Sequence, residues 1–282
     1  MRTFNYDNLL DKSVVTSVKA ALIEDVEDGD ITSLLIPKEK SARAIVISRE
    51  KAVVCGQSWV NEVFRTLDPD YQIEWHLKDG DNVLPDQKIF TVSGNARSLL
   101  TAERTALNFL QVLSATATIS RTYSKLLPNK TMKILDTRKT IPGLRLAQKY
   151  AVTIGGCSNH RVGLYDAFLI KENHISACGS IELAVSKARK LRPNKQIEVE
   201  VETIDEFNRA LSAKADVIML DNFSETDYQA IEKIDLGNTK LEASGNLDEK
   251  NISKFTKYKI DYLSSGSLTK NIKAIDLSMR FV

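Results

Sequence analysis

The sequence predicts an α/β protein in two parts, a small α+β domain followed by a series of β–α units that form a parallel sheet or a barrel. Three observations predict it. Short runs rich in β-branched residues, broken by turn signals, occupy roughly the first hundred residues. A long apolar periodic stretch free of Gly and Pro follows, and beyond it strand-like and helical runs alternate to the end of the chain.

In the first part, 41–54, 71–77 and 88–92 read as strands, with turn signals at Asp79-Gly80-Asp81-Asn82 and Ser93-Gly94-Asn95. Helical patterns at 14–24 and 58–66 pack on that sheet. Apolar residues then recur at Leu99, Leu100, Ala106, Leu107, Leu110, Leu113 and Ala117 up to Leu127, the spacing of one or two long helices that link the parts. Strand-like runs follow at 132–137, 167–171, 196–202, 217–221, 240–244 and 261–265, with helical patterns at 181–191, 204–213 and 225–234. Six strands are fewer than the eight of a regular barrel, and a doubly wound open sheet satisfies the same pattern.

Composition narrows the function. A chain of 282 residues with 43% hydrophobic and 27% charged residues is ordinary for a globular enzyme. Its 39 Lys and Arg against 37 Asp and Glu leave a formal charge of +2, which favours neither nucleic acid nor a membrane surface as partner. Residues 1–15 carry Arg2, Asp7, Asp11 and Lys12 and do not read as a signal peptide, and no run approaches the ~18 apolar residues that span a bilayer. Cys55, Cys157 and Cys178 are scattered, without a Cys-x-x-Cys pair, which argues against a disulfide framework or a zinc site and for the reducing cytoplasm.

The chemistry gathers at the strand ends, where a parallel barrel carries its reactive groups. These ends hold Asp136-Thr137-Arg138-Lys139, Lys171-Glu172-Asn173-His174, Asp221-Asn222, Ser244-Gly245-Asn246 and Ser264-Ser265-Gly266-Ser267. In 196–202, Ile197, Val199 and Val201 alternate with Glu198, Glu200 and Glu202. An isolated strand of this kind is a solvated acidic face; under covering helices its carboxylates point inward. Between Thr137 and Lys171 lie Arg138, Lys139, Arg145, Lys149, His160, Arg161 and Lys171 against the single acid Asp166, a bias that suits an anionic ligand. Arg145 and Lys149, one helical turn apart, also fit a plain surface. The Gly-containing turns after the last two strands fit a phosphate cradle, and the carboxylates suit Mg²⁺ or a ribose.

The stretch Leu-Asp-Thr-Arg-Lys-Thr-Ile-Pro-Gly-Leu-Arg from Leu135, with Asn159-His160-Arg161-Val162-Gly163-Leu164-Tyr165-Asp166 and Ile170-Lys171-Glu172-Asn173-His174, closely resembles the quinolinate phosphoribosyltransferases. Gly29-Asp30-Ile31-Thr32, Thr101-Ala102-Glu103-Arg104, Glu198-Val199-Glu200-Val201, Leu220-Asp221-Asn222 and Glu242-Ala243-Ser244-Gly245 fall in the same order, so the resemblance covers nearly the whole chain. Cys157 stands where that family often has a third glycine, and Ala243 and Asn246 replace a common serine and glycine.

The resemblance implies a type II phosphoribosyltransferase fold: an N-terminal α+β sandwich at 1–114, joined by the tail 273–282, and an irregular α/β barrel with fewer than eight strands at 115–272. It implies a Mg²⁺-dependent homodimer, sometimes assembled further, in which Arg104 enters the neighbouring site. Arg138, Lys139, His160, Arg161 and Lys171 would surround quinolinate and pyrophosphate, with Lys139, Lys171, Glu200 and Asp221 as the catalytic set. Glu200 and Asp221 would address ribose and magnesium, and Ser244, Gly245, Ser265 and Gly266 would hold the 5′-phosphate. The implied reaction joins quinolinate to phosphoribosyl pyrophosphate with loss of CO₂, giving nicotinate mononucleotide for NAD biosynthesis. Rival readings are a type II enzyme for nicotinate or another aromatic acid, a non-catalytic relative, and an aldolase using Lys171 or Lys139 as a Schiff base.

Overall fold

A computed structural model of the chain describes residues 6–127, 131–245 and 247–282, so Arg2 and Asn246 lie outside the described residues. In chain order, the first elements are α1 (Tyr6–Val26), β1 (Ser41–Ser48), β2 (Ala52–Val53), α2 (Gln57–Leu67), β3 (Gln72–Trp75), β4 (Asn82–Val83), β5 (Lys88–Asn95) and α3 (Ala96–Ser124). There follow β6 (Lys133–Leu135), α4 (Arg145–Gly155), β7 (Phe168–Ile170), α5 (Glu172–Cys178), α6 (Ile181–Leu191), β8 (Ile197–Val201), α7 (Ile204–Ser212) and β9 (Val217–Asp221). The last are α8 (Glu225–Ile231), β10 (Lys240–Ser244), β11 (Tyr262–Ser264), α9 (Ser267–Lys270) and β12 (Leu277–Phe281). Chain contacts divide these into two bodies: Met1–Arg121 with Thr140–Gly156 and Asn271–Val282, and Thr122–Lys139 with Cys157–Lys270.

The first body is built on a four-stranded antiparallel sheet ordered β12-β1-β5-β3. Strand β1 buries alternate residues (Ala44, Val46, Ser48), the signature of a sheet with one face in the core. Helix α2 closes that face with Trp59, Val60, Val63 and Phe64, which its 3.6-residue turn places on one side. The 41–54 run is two strands rather than one: the Ser48 hydroxyl donates to the Glu50 carbonyl and turns the chain between β1 and β2. Ser93-Gly94-Asn95 is not a turn, because β5 continues through it. Gly94 marks a close approach instead, since a Cβ there would lie 2.7 Å from Asp68 Oδ2, which also accepts the Asn95 amide at 2.9 Å.

Helix α4 was not legible as a helix in the sequence. It is held by Arg121 of α3, whose guanidinium donates to the Gly155 and Ile154 carbonyls at 3.0 Å, satisfying the helix end. Gly155 packs so tightly on α3 that a Cβ would meet Ser120 Cβ at 2.3 Å. Lys149 is fully buried in this helix, which overturns its reading as a surface residue.

The second body is the parallel sheet, ordered β6-β11-β10-β9-β8-β7. Read as a ring, this is strict sequence order with the last strand returning to β6: a barrel of six strands whose ring is interrupted between β6 and β7. The six runs expected as strands match these six strands, trimmed by one or two residues at some ends. Residues that follow α4 pair along the open edge of β6: Leu135 pairs with Ser158, and the Ser158 amide donates to the Ile134 carbonyl at 2.8 Å. Helices α6, α7 and α8 start on Ser180, Thr203 and Ser224, whose hydroxyls accept the amides of Leu183, Glu206 and Asp227. Outside the ring, α6 and α7 cover β8, so Ile197, Val199 and Val201 are buried beneath them. Strand alternation then turns Glu198 and Glu200 into the barrel, as the inward reading required. Glu202 falls past the strand end, exposed.

Candidate active site

Strand register places several of the candidate side chains on one inner face. Glu200 lies opposite Met219, and Asp221 lies two residues beyond it on β9, so the two carboxylates are diagonal neighbours on the same face. Asp221 is in turn opposite Ser244 of β10, and Glu242 lies opposite Met219 one step deeper. Lys171, just past the end of β7, forms an ion pair with Glu200. Its backbone amide donates to His174 Nδ1 at 3.0 Å, so His174 fixes the start of α5 and the place of Lys171.

The basic side is electrostatically strained. Burial first, and the neighbouring Arg138 charge second, lower the proton affinity of the Arg161 guanidinium, while Glu198, Asp166 and Glu200 work the other way. Two guanidiniums close enough to oppose each other, with Arg138 Nε buried and lacking a hydrogen-bond partner among the described residues, make a site that an anion relieves. Lys139 runs past Gly266: a Cβ on that glycine would come 3.0 Å from Lys139 Cδ, so the missing side chain makes room for the lysine. Thr269 Oγ1 donates to the Lys139 carbonyl at 2.8 Å and fixes the same loop.

The turn after β10 needs its glycine for a different reason. Gly245 sits at φ +108°, and a Cβ there would meet Asn222 Oδ1 at 2.2 Å. Asn222 itself adopts φ 56°, a left-handed conformation rare outside glycine, and its amide side chain donates to Asp221 Oδ2 at 3.1 Å. The loops after β9 and β10 are therefore interlocked, with Asp221 and Ser244 side by side. Both donors of Ser265 serve the fold: its hydroxyl donates to the Leu247 carbonyl at 2.6 Å and its amide to the Leu135 carbonyl at 3.0 Å.

His160 is drawn further inward than its loop position suggested. Its side chain is 11% exposed, with Nε2 2.8 Å from Glu198 Oε2 and 3.7 Å from Glu242 Oε2. Asp136, fully buried, holds the segment by accepting the His160 amide at 2.9 Å and the Asn159 side chain at 2.7 Å. Among the described residues these three, His160, Glu198 and Glu242, form one compact group of potential metal-ligand type. Sequence reasoning turned Glu198 inward with Glu200 without a role of its own, and gave Glu242 no role. The signal was present in the alternation that places Glu242 on the same face as Ser244.

Of the residues expected at the site, Arg138, Lys139, His160, Arg161, Lys171, Glu200, Asp221, Ser244, Gly245, Ser265 and Gly266 all lie in the second body. Arg104 belongs to the first body, exposed on α3. Three residues before it, Thr101 donates to Asp30 Oδ2 at 2.9 Å, and Asp30 Oδ1 accepts the Thr32 and Ser33 amides, which gives the Gly29-Asp30-Ile31-Thr32 motif a structural purpose. Arg145 and Lys149 of α4 also fall in the first body.

An interrupted β–α barrel with opposed cations and carboxylates at the C-terminal ends of its strands is the frame of an enzyme for polyanionic, sugar-phosphate substrates. Comparison with known proteins names the lineage. The family described as quinolinate phosphoribosyl transferase, C-terminal domain, matches residues 116–280, and its N-terminal domain matches 30–114. The probable nicotinate-nucleotide pyrophosphorylase (carboxylating) of Bacillus subtilis is 42% identical over 258 residues, 91% of this chain and 89% of the relative. The quinolinate phosphoribosyltransferase (decarboxylating) 1b of Nicotiana tabacum is 38% identical, covering 93% of this chain and 81% of its own length. The solved nicotinate-nucleotide pyrophosphorylase of Francisella tularensis superposes with a TM-score of 0.94 at 48% identity over 100% of both chains. The chain belongs to the quinolinate phosphoribosyltransferase family.

Proposed function

We infer that this chain transfers the phosphoribosyl group of phosphoribosyl pyrophosphate to quinolinate, releasing pyrophosphate and CO₂ and yielding nicotinate mononucleotide for NAD biosynthesis. The observation that supports the reading, beside family membership, is the Arg138–Arg161 pair, close enough for the two charges to oppose each other, with Glu200 near enough to act on Arg161. A planar diacid answers the two guanidiniums, and a sugar turning positive at C1 answers the two acids.

In the reaction, the bond from C1 to pyrophosphate breaks and the ring nitrogen of quinolinate forms a bond to C1. The quaternised ring then accepts the electron pair of the C2–carboxyl bond, CO₂ leaves, and that ring carbon takes up a proton. Arg138 and Arg161 orient the two carboxylates, so nicotinate, with one, leaves a desolvated cation unanswered. Lys139 and Lys171 balance the pyrophosphate, and Lys171 is steadied for this by Glu200 and by the His174 bond to its amide. Ser244, Gly245 and Gly266 receive the 5′-phosphate. Glu200 and Asp221 are hard oxygen donors on adjacent strands, too few to encage a metal, and such a pair fits Mg²⁺ held largely through water and phosphate. When bound, Mg²⁺ neutralises charge on the departing pyrophosphate.

We also read the enzyme as a cytoplasmic homodimer in which Arg104 serves the neighbouring site. Cys55, Cys157 and Cys178 are all free, which supports a reducing compartment, and among the described residues no helix is long and apolar enough to cross a membrane. Incubation with quinolinate, phosphoribosyl pyrophosphate and Mg²⁺ is expected to release CO₂ and nicotinate mononucleotide, with activity lost on chelation and little product from nicotinate. Absence of both products sinks the assignment. For the shared site, mixing inactive R104A and R138A chains should restore about a quarter of wild-type activity, the share of competent sites in random dimers; no recovery on mixing would place Arg104 elsewhere.

A further inference from the structure

The β–α repeat weakens after β10. The connections after β8 and β9 carry α7 and α8, whereas among the described residues the one from β10 to β11 carries only a 3₁₀ turn, Ile252–Lys257. Such turns are short, with poorer hydrogen-bond geometry than an α-helix, so the loop that begins at Ser244-Gly245 needs support from elsewhere. Helix α8 supplies it. Tyr228 is 4% exposed and stacks on Tyr258, with ring centroids 4.8 Å apart and planes at 21°. It also meets Phe255 edge-on at 5.6 Å and Phe223 at 6.3 Å. Glu225, in the first turn of α8, pairs with Lys257, and the Tyr258 hydroxyl hydrogen-bonds both. Both members of that ion pair are more than half exposed, so the pair adds little and the rings carry the join.

Phe223 stands two residues past Asp221, and the residue between them is Asn222 at φ 56°. A left-handed non-glycine residue persists where its surroundings hold it. The Asn222 amide donates to the Ser244 carbonyl at 3.2 Å on one side, and Phe223 is anchored by Tyr228 on the other. The Tyr228 hydroxyl is buried without a hydrogen-bond partner among the described residues. An unpaired buried hydroxyl is a cost, which leaves the ring as the useful part of the side chain.

We propose that Tyr228 is a positioning residue for phosphoribosyl pyrophosphate: as the hub of this aromatic cluster it fixes the turn after β9 against the β10–β11 connection, and so sets the spacing of Asp221 from Ser244-Gly245. The inference rests on the reading in which Asp221 addresses the ribose and Ser244-Gly245 the 5′-phosphate. Both belong to one substrate, so a change in their spacing is felt by that substrate. Arg138 and Arg161, which receive quinolinate, lie on segments outside the cluster. Tyr228 itself is too buried to meet either substrate.

The test compares variants of the full-length enzyme. Tyr228→Leu removes the ring, and Tyr228→Phe keeps the ring without the hydroxyl. Tyr258→Leu breaks the stack from its half-buried side and serves where Tyr228→Leu is unable to fold. The Leu variants should raise the KM for phosphoribosyl pyrophosphate about tenfold or more, with the KM for quinolinate within about twofold of wild type. The Phe variant should stay within about twofold of wild type for both substrates, with an equal or higher Tm. An unchanged KM for phosphoribosyl pyrophosphate in the Leu variants would overturn the proposal. So would equal rises for both substrates, or a Phe variant as impaired as the Leu ones. If the wild-type chain makes no product from quinolinate, the reading of the acceptor fails. The same Leu–Phe contrast in calorimetric affinity for phosphoribosyl pyrophosphate with Mg²⁺ then still decides the hub.

Discussion

In the first body of this chain the large sealed side chains include Trp59, Phe64, Phe90 and Leu110, with Lys149 of α4 sealed there as well. In the second, the side chains turned into the ring include Glu198, Glu242 and His160, with Asp136 buried beside them. Both bodies exclude water, but for different ends. Apolar burial stabilises a fold at little risk, whereas buried ionisable groups contribute little net stability and become costly when a partner is lost. The difference teaches where to look: the ring gathers several buried ionisable groups in one place, and that is where the chemistry should be tested first.

The comparison can be broken by substitution. The largest effect is expected from Arg138→Ala, which removes half of the proposed diacid grip and should lower kcat/KM for quinolinate by about 10²-fold to several 10³-fold, from the ~3–5 kcal/mol cost of leaving a buried partner unpaired, with little change in melting temperature. Turnover within a few-fold of wild type would deny the pair its role. In the other body, Phe64→Ala should cost about 3–5 kcal/mol of stability, read as a fall in Tm. The folded fraction should keep its kcat, and a kinetic defect without a Tm shift would reverse the contrast.

A smaller, pH-dependent effect sharpens it. Asp79 caps α2 by accepting the Gly56 and Gln57 amides and binds the Tyr150 hydroxyl at 2.8 Å, yet burial raises its proton affinity above the ordinary 3.8. The folded state therefore binds the proton more tightly than the unfolded chain. Stability from this group is fully present below 3.8 and declines as pH rises through the raised folded value. Asp79→Asn, nearly isosteric, should flatten that slope in urea melts compared at several pH values, and a wild-type excess of stability that grows with pH would contradict the sign. The smallest effect belongs to Glu182→Gln. Its carboxylate is held low by Arg209 on an exposed face, and such a pair should change neither Tm nor turnover detectably.

Much of this was legible in the residues themselves. The ring was read as six strands because Val-Ile-Met-Leu-Asp and Leu-Glu-Ala-Ser carry both a buried face and a polar end, and local pattern suffices where a β–α unit repeats. The same pattern put Glu200 and Asp221 at strand ends, and the family resemblance singled them out among the neighbouring acids. Helix α4 was missed because Thr140-Ile141-Pro142-Gly143 and Gly155-Gly156 read as loop on both sides of it, and its anchors, Arg121 and Gln148, act across distance or from inside. Gln148 accepts the Ile141 amide and is fully buried. The partnership of His160 with Glu242 was out of reach for a further reason: it joins residues 82 positions apart in sequence, counted from 160 to 242, that only ring closure brings together. Gly94 misled because a glycine that admits a neighbouring side chain is indistinguishable, in sequence, from one that turns the chain.

The interruption between β6 and β7 has a consequence for how this scaffold changes its choice of acid. A closed hoop couples every strand to two others, so moving one group disturbs the whole register. Here His160 and Arg161 ride on a segment laid along the open edge of β6, with bonds to Asp136, Leu135 and Ile134. Their spacing can be altered by rewriting that segment alone, with all five ladders of the arc left untouched.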